Sequence, residues 1–97
     1  MTSIVRIVRM TFSEETISEF EAVFLEYEVD ISSQPGCMSL ELVKDVNNPL
    51  VRATVSRWDN EESLNNYRKS ELFGVVWPKT KKLFSSPPEA VSYISKL

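Results

Sequence analysis

The chain has 97 residues, 42% hydrophobic and 26% charged, an ordinary globular composition that predicts a single domain over residues 1–97 with one thin core. Fourteen acidic residues against eleven basic leave a formal charge of −3, and apart from Lys79, Lys81 and Lys82 the basic residues are scattered, which argues against the clustered cationic face that nucleic-acid binding needs. Arg6 and Arg9 interrupt the apolar N-terminal segment, so it reads neither as a signal-peptide core nor as a membrane span, and a cytoplasmic location without nucleic-acid or membrane partners is expected.

Residues 3–12 are rich in Ile and Val and predict a strand, with Val5, Ile7, Arg9 and Thr11 on one face and Ile4, Arg6, Val8, Met10 and Phe12 on the other. Both faces carry apolar side chains. A chain this short has helices for only one of them, so the second face is expected to meet another subunit. Ser13 is placed to cap the following helix, with Glu14 and Glu15 in its first turn. Ile17, Phe20, Phe24, Tyr27 and Ile31 then recur at spacings of three and four on one stripe. Gln34-Pro35-Gly36 ends that helix, and Met38, Leu40 and Leu42 alternate with Ser39 and Glu41 as a second strand.

The turn Asp45-Val46-Asn47-Asn48-Pro49 leads to a third strand, 50–58, on which Thr54, Ser56 and Trp58 share a face. Asp59 and Glu62 have the spacing of a capping box for a short helix reaching Lys69, with Leu64 and Tyr67 facing inward. Ser70 caps a further helix carrying Leu72, Phe73, Val76 and Trp77, which Pro78 is expected to bend or break. Leu83 and Phe84 pack the remainder, Pro87-Pro88 stops it, and 89–95 form a last strand with Val91 and Tyr93 opposite Ala90, Ser92 and Ile94. The order β-α-β-β-α-α-β predicts an α+β fold, a ferredoxin-like sandwich with a four-stranded antiparallel sheet and helices on one face.

No histidine occurs, which removes the usual neutral-pH general base, haem ligand and zinc ligand together. The lone Cys37 excludes an intrachain disulfide and, with no basic neighbour in sequence, reads as a small buried hydrophobe. Glu61 and Glu62, adjacent on a helix, point in different directions and read as a cap and a solvated side chain. Asp45, Asp59 and Glu62 lack the spacing of a calcium loop, so no metal is expected.

Residues 58–73 run from Trp58 through an acidic capping turn, Asp59-Asn60-Glu61-Glu62, to Tyr67 and then Ser70-Glu71-Leu72-Phe73. With Gln34-Pro35-Gly36-Cys37 ahead of the second strand and the order of elements, this resembles the antibiotic biosynthesis monooxygenase family over nearly the whole chain. The resemblance implies a homodimer in which two sheets face each other as a dimeric α+β barrel, each subunit keeping a cleft between sheet and helices. It also implies activities that include cofactor-independent oxygenation of phenols or quinols and, in one branch, haem breakdown.

The haem-degrading branch would place an Asn, a Trp and a His where this chain has Val8, Trp58 and Trp77, so the iron ligand is missing and haem breakdown is disfavoured. The cofactor-free branch has a polar residue, typically Asn, four positions before the strand-ending Trp. Thr54 stands there, a hydroxyl replacing an amide. The resemblance thus implies a monooxygenase with no cofactor, acting on a small phenolic, quinol or polycyclic aromatic substrate. In it Trp58, Phe73 and Trp77 stack the ring beside Val8, Arg6 holds the phenolate, and Thr54, Ser56 or Tyr67 donates hydrogen bonds. Each residue has a structural counterpart reading: Trp58 as a core plug, Phe73 and Trp77 as packing, Arg6 as a rim ion pair, Tyr67 as an anchor for its helix. On that reading the protein is a non-catalytic dimeric barrel that binds a small hydrophobic ligand.

Overall fold

Alternation along the first strand sorts its side chains as their polarity predicts. In the computed structural model, which describes residues 2–96, β1 (Thr2–Thr11) turns Ile4, Val8 and Met10 toward the helices. It is followed by α1 (Ile17–Ser32), β2 (Cys37–Lys44), β3 (Val51–Trp58), α2 (Glu61–Arg68), α3 (Glu71–Lys81) and β4 (Glu89–Lys96). The strands form one antiparallel sheet in the order β2-β3-β1-β4, and the protein is an α+β fold of ferredoxin-like type.

Cross-strand register builds two rows on the helix-covered face. Leu40, Ser56, Arg6 and Ser92 form one row, and Leu42, Thr54, Val8 and Ala90 form the next. On the opposite face Val55, Ile7 and Val91 lie in one row and Arg57, Val5 and Tyr93 in another. No element of the described chain covers that second face, and Tyr93 is 56% exposed there.

Two apolar clusters hold the layers together. Met10 and Phe12 pack on Phe20, Phe24 and Leu83 at one end, whereas Ile4, Trp58 and Leu64 pack together at the other. Burying side chains of this size stabilises by about 1.5–3 kcal/mol each. The stripe on α1 behaves as its spacing predicts, with Phe20, Phe24 and Ile31 buried. Arg52 is buried too, and it is satisfied: Nη1 donates to the Pro49 and Val51 carbonyls at 2.7 and 3.2 Å, and Nε to Glu21 at 3.4 Å.

Four local expectations are corrected by the structure. Helix α1 begins later than predicted, with Thr16 and not Ser13 at its N-cap. Thr16 Oγ1 donates to the Leu83 carbonyl at 2.9 Å, so this hydroxyl ties the helix entry to the distant chain, and Glu14 and Glu15 lie in the turn before it. Second, a bulge between Cys37 and Ser39 shifts the alternation. Cys37 therefore packs against the Trp58 cluster, while Met38 is 59% exposed instead of inward with Leu40.

Third, Asn60 and not Asp59 caps α2, its Oδ1 accepting from the Ser63 amide at 2.8 Å. The Asp59 amide is already committed to the Gly36 carbonyl at 2.9 Å. Ser70 caps α3 as expected, accepting from the Phe73 amide at 3.1 Å. Fourth, Pro78 does not break α3, which continues to Lys81. Gly74 and Pro78 are both exposed, so water can serve the Gly74 carbonyl that the proline ring cannot bond.

Candidate active site

Between the two apolar clusters the helices do not fill the space above the sheet. A cavity of about 370 Å³ remains, within the roughly 300–1,000 Å³ range of small-molecule sites. Its floor comes from alternate residues of the strands: Arg6 and Val8 on β1, and Thr54, Ser56 and Trp58 on β3. Tyr67 of α2 and Phe73 and Trp77 of α3 supply a wall. All eight residues singled out from the sequence therefore border one space.

The aromatic wall is continuous. Trp58 stacks on Tyr67 with centroids 5.3 Å apart, and Tyr67 meets Phe73 edge-on at 5.3 Å. Phe73 stacks on Trp77 at 5.8 Å and an interplanar angle of 11°. Each contact favours one ring orientation over others, which gives the wall a fixed shape.

Trp58 is 1% exposed, and its indole Nε1 donates to Ser56 Oγ at 3.0 Å. The indole proton is thus spent within the strand, leaving this residue both a core plug and an apolar wall. Tyr67 is held neutral. Burial pushes its phenol up to about 12, with the nearby Cys37 thiol adding to the effect, so at neutral pH this hydroxyl keeps its proton for donation and is not a phenolate base. Burial likewise pushes the Cys37 thiol up, away from the reactive thiolate.

Arg6 is the half-buried cation of the floor, and its Nη1 donates to Ser92 Oγ across the strand pair at 3.1 Å. Its pKa is lowered, first by burial and then by the charge of Arg68. Arg68, at the C-terminal end of α2, also borders the cavity, and sequence reasoning missed it. As a polar residue at the end of a helix it gave no periodic signal, although it directly follows Tyr67. Phe24 and Ile31 of α1 were assigned to packing alone and Val23 was not singled out, yet all three complete the apolar wall.

Among the described residues no group of three His, Cys, Asp or Glu side chains lies close enough together to hold a metal ion, and no helix is long and apolar enough to cross a membrane. The chemical resources of the site are apolar surface, aromatic faces, neutral hydroxyls and guanidinium charge.

Comparison with solved structures shows the same fold across distant sequences. A conserved protein from Methanosarcina mazei Go1 superposes with a TM-score of 0.91 at 19% identity, over 96% of this chain and 92% of that chain. SnoaB, a cofactor-independent oxygenase from Streptomyces nogalater, gives 0.86 at 16% identity over 98% and 94%. The protein Rv0793 from Mycobacterium tuberculosis gives 0.87 at 16% over 98% and 95%. No curated protein sequence matches the chain. The family model for antibiotic biosynthesis monooxygenase matches residues 3–76, and with this span covering most of its length the chain belongs to the antibiotic biosynthesis monooxygenase family.

Proposed function

We propose that the protein is a cofactor-independent monooxygenase that oxidises a small phenolic, quinol or polycyclic aromatic substrate with dioxygen. The observation that carries this reading is the cavity itself: an aromatic-walled space with one half-buried guanidinium, Arg6, on its floor. Family membership and the likeness to SnoaB, a cofactor-independent oxygenase, support it.

A ring fits between the Phe73 and Trp77 wall and the Val8 and Thr54 floor, and its phenolic oxygen faces Arg6. Cationic Arg6 favours the ionised phenol, as an opposite charge does for any acid. The released proton passes to solvent, since no side chain on the cavity wall is an ionisable base at neutral pH. The electron-rich anion gives one electron to dioxygen, and the carbon-centred radical and superoxide recombine to form a C–O bond. Protonation of the distal oxygen and loss of the C–H proton then break the O–O bond, leaving a carbonyl and one water. The substrate supplies all the electrons.

The protein's part is to orient the ring, stabilise its charge and exclude water. The Thr54 hydroxyl, four residues before Trp58, is the donor assigned to the reduced oxygen. Tyr67, neutral at working pH, is a second donor. A second copy of the chain covers the open sheet face through Val5, Ile7, Val91 and Tyr93, and the homodimer works in the cytoplasm. Oxidation under ¹⁸O₂ tests the chemistry: one labelled oxygen belongs in the product and the other in water. Label in neither would leave the alternative, a barrel protein that binds small hydrophobic ligands.

A further inference from the structure

The charges around the cavity are unbalanced in a way the aromatic reading does not require. Arg6 and Arg68 both border it, and among the described residues no acidic side chain does. The protein as a whole carries three more acidic than basic residues, so acidic partners are abundant elsewhere. Arg9 takes Asp45 at 2.9 Å and Glu89 at 3.7 Å, and Arg52 takes Glu21 at 3.4 Å. Among the described residues neither Arg6 nor Arg68 has a carboxylate within salt-bridge distance; the hydroxyl of Ser92 is the partner of Arg6.

Burial and, after it, the charge of Arg68 disfavour the charged form of Arg6. Like charges bordering one apolar cavity disfavour the empty site, and an anion bound there offsets them. A single phenolate satisfies one of them. Two cations and an apolar, aromatic-walled cavity fit a ring with two acidic groups.

Resting on the aromatic reading of the cavity, we infer that the substrate is an aromatic acid: a phenolic ring that also carries a carboxylate, with Arg6 facing the phenolate and the exposed Arg68 holding the carboxylate at the rim. Guanidinium matches a carboxylate with two parallel N–H donors, which gives orientation as well as affinity. The carboxylate fixes which ring edge enters first, so it sets which carbon meets dioxygen.

The test is a matched pair of probes, 3-hydroxy-2-naphthoate and 2-naphthol, titrated calorimetrically into the protein under nitrogen. The acid is expected to bind about tenfold more tightly than the neutral naphthol. Arg68→Gln is expected to bring that ratio below about threefold, and raising the salt concentration to reduce it in the wild type. Lys44→Gln, the same charge change on an exposed residue outside the cavity, leaves the ratio unchanged. Equal affinity for the two probes, a ratio that survives Arg68→Gln, or no binding of either overturns the inference. Because dioxygen is absent, the outcome is independent of turnover: a preferred acid that is never oxidised would uphold the anion site and contradict the oxygenase reading.

Discussion

The indole N–H of Trp58 points along its own strand and donates to Ser56 Oγ at 3.0 Å, in a buried setting. Residues two apart on a strand share a face, so β3 supplies both the aromatic plug and the acceptor that orients it. Trp58 enters the site as a wall with its donor already used. In the proposed reaction a hydrogen bond to the reduced oxygen must therefore come from elsewhere, and it is assigned to the hydroxyls of Thr54 and Tyr67.

Removing that acceptor should be costly out of proportion to its size. Ser56→Ala strands the indole donor without a partner, and a loss of about 1–3 kcal/mol is expected. Urea denaturation of the single and double variants Ser56→Ala and Trp58→Phe measures the coupling. The double variant should lose less than the sum of the two, because each change removes one half of the same bond.

Tyr67 gives the stability curve a signature at high pH. Its phenol titrates near 12 in the folded protein and near 10 when unfolded. Between these values the unfolded chain has lost the proton that the folded protein keeps, so stability is full below about pH 10 and declines toward pH 12. Discounted for the partial exposure of the ring, the loss is about 2 kcal/mol. Tyr67→Phe should flatten this arm of the curve, measured by chemical denaturation at each pH.

Gly36 joins the start of β2 to the turn before α2. Its φ is +84°, in the left-handed region, and a Cβ there would collide with the Ser63 side chain and the Asp59 carboxylate. Gly36→Ala is expected to destabilise by at least about 1–2 kcal/mol from the backbone conformation alone. Thermal unfolding checks this, and a variant as stable as the parent would mean that the turn relaxes freely.

The open sheet face makes the assembly testable by one charge. Ile7 and Val91 are cross-strand neighbours on that face. If a second copy covers them, Ile7→Glu should convert a dimer to a folded monomer in light scattering at micromolar concentration, with its circular dichroism retained. A parent protein that is already monomeric would contradict the proposed assembly.

Much of the site was legible because the family resemblance pointed to its residues and two periodicities placed them on common faces. Alternation placed Arg6 and Val8 together, and Thr54, Ser56 and Trp58 together, while helical spacing aligned Phe73 with Trp77. Register, which sets Val8 opposite Thr54, was not legible, because β1 and β3 are not joined by a hairpin whose turn would fix it. What failed was local competition for hydrogen bonds. Ser13, Thr16, Asp59 and Asn60 are all competent caps by residue type, but the Thr16 hydroxyl goes to the distant Leu83 carbonyl and makes no cap bond, while Asn60 takes the Ser63 amide. The bulge after Cys37 is likewise invisible to alternation, since it is the point where alternation stops. Arg68 escaped because its role depends on where α2 ends relative to the sheet, a distance that no spacing along the chain contains.

Oxygen uptake by the purified, metal-free protein tests the central claim most directly, across a panel of hydroquinones, anthrones and naphthols with heat-treated protein as the blank. Uptake above that blank is expected with at least one panel member, one dioxygen per substrate oxidised. The rate should fall by about tenfold or more in Arg6→Gln and in Thr54→Val, as expected when a charge or a donor aimed at a developing oxyanion is lost. No uptake with any member, alongside a ligand-dependent rise in melting temperature, would contradict that claim and leave a ligand-binding protein on this fold.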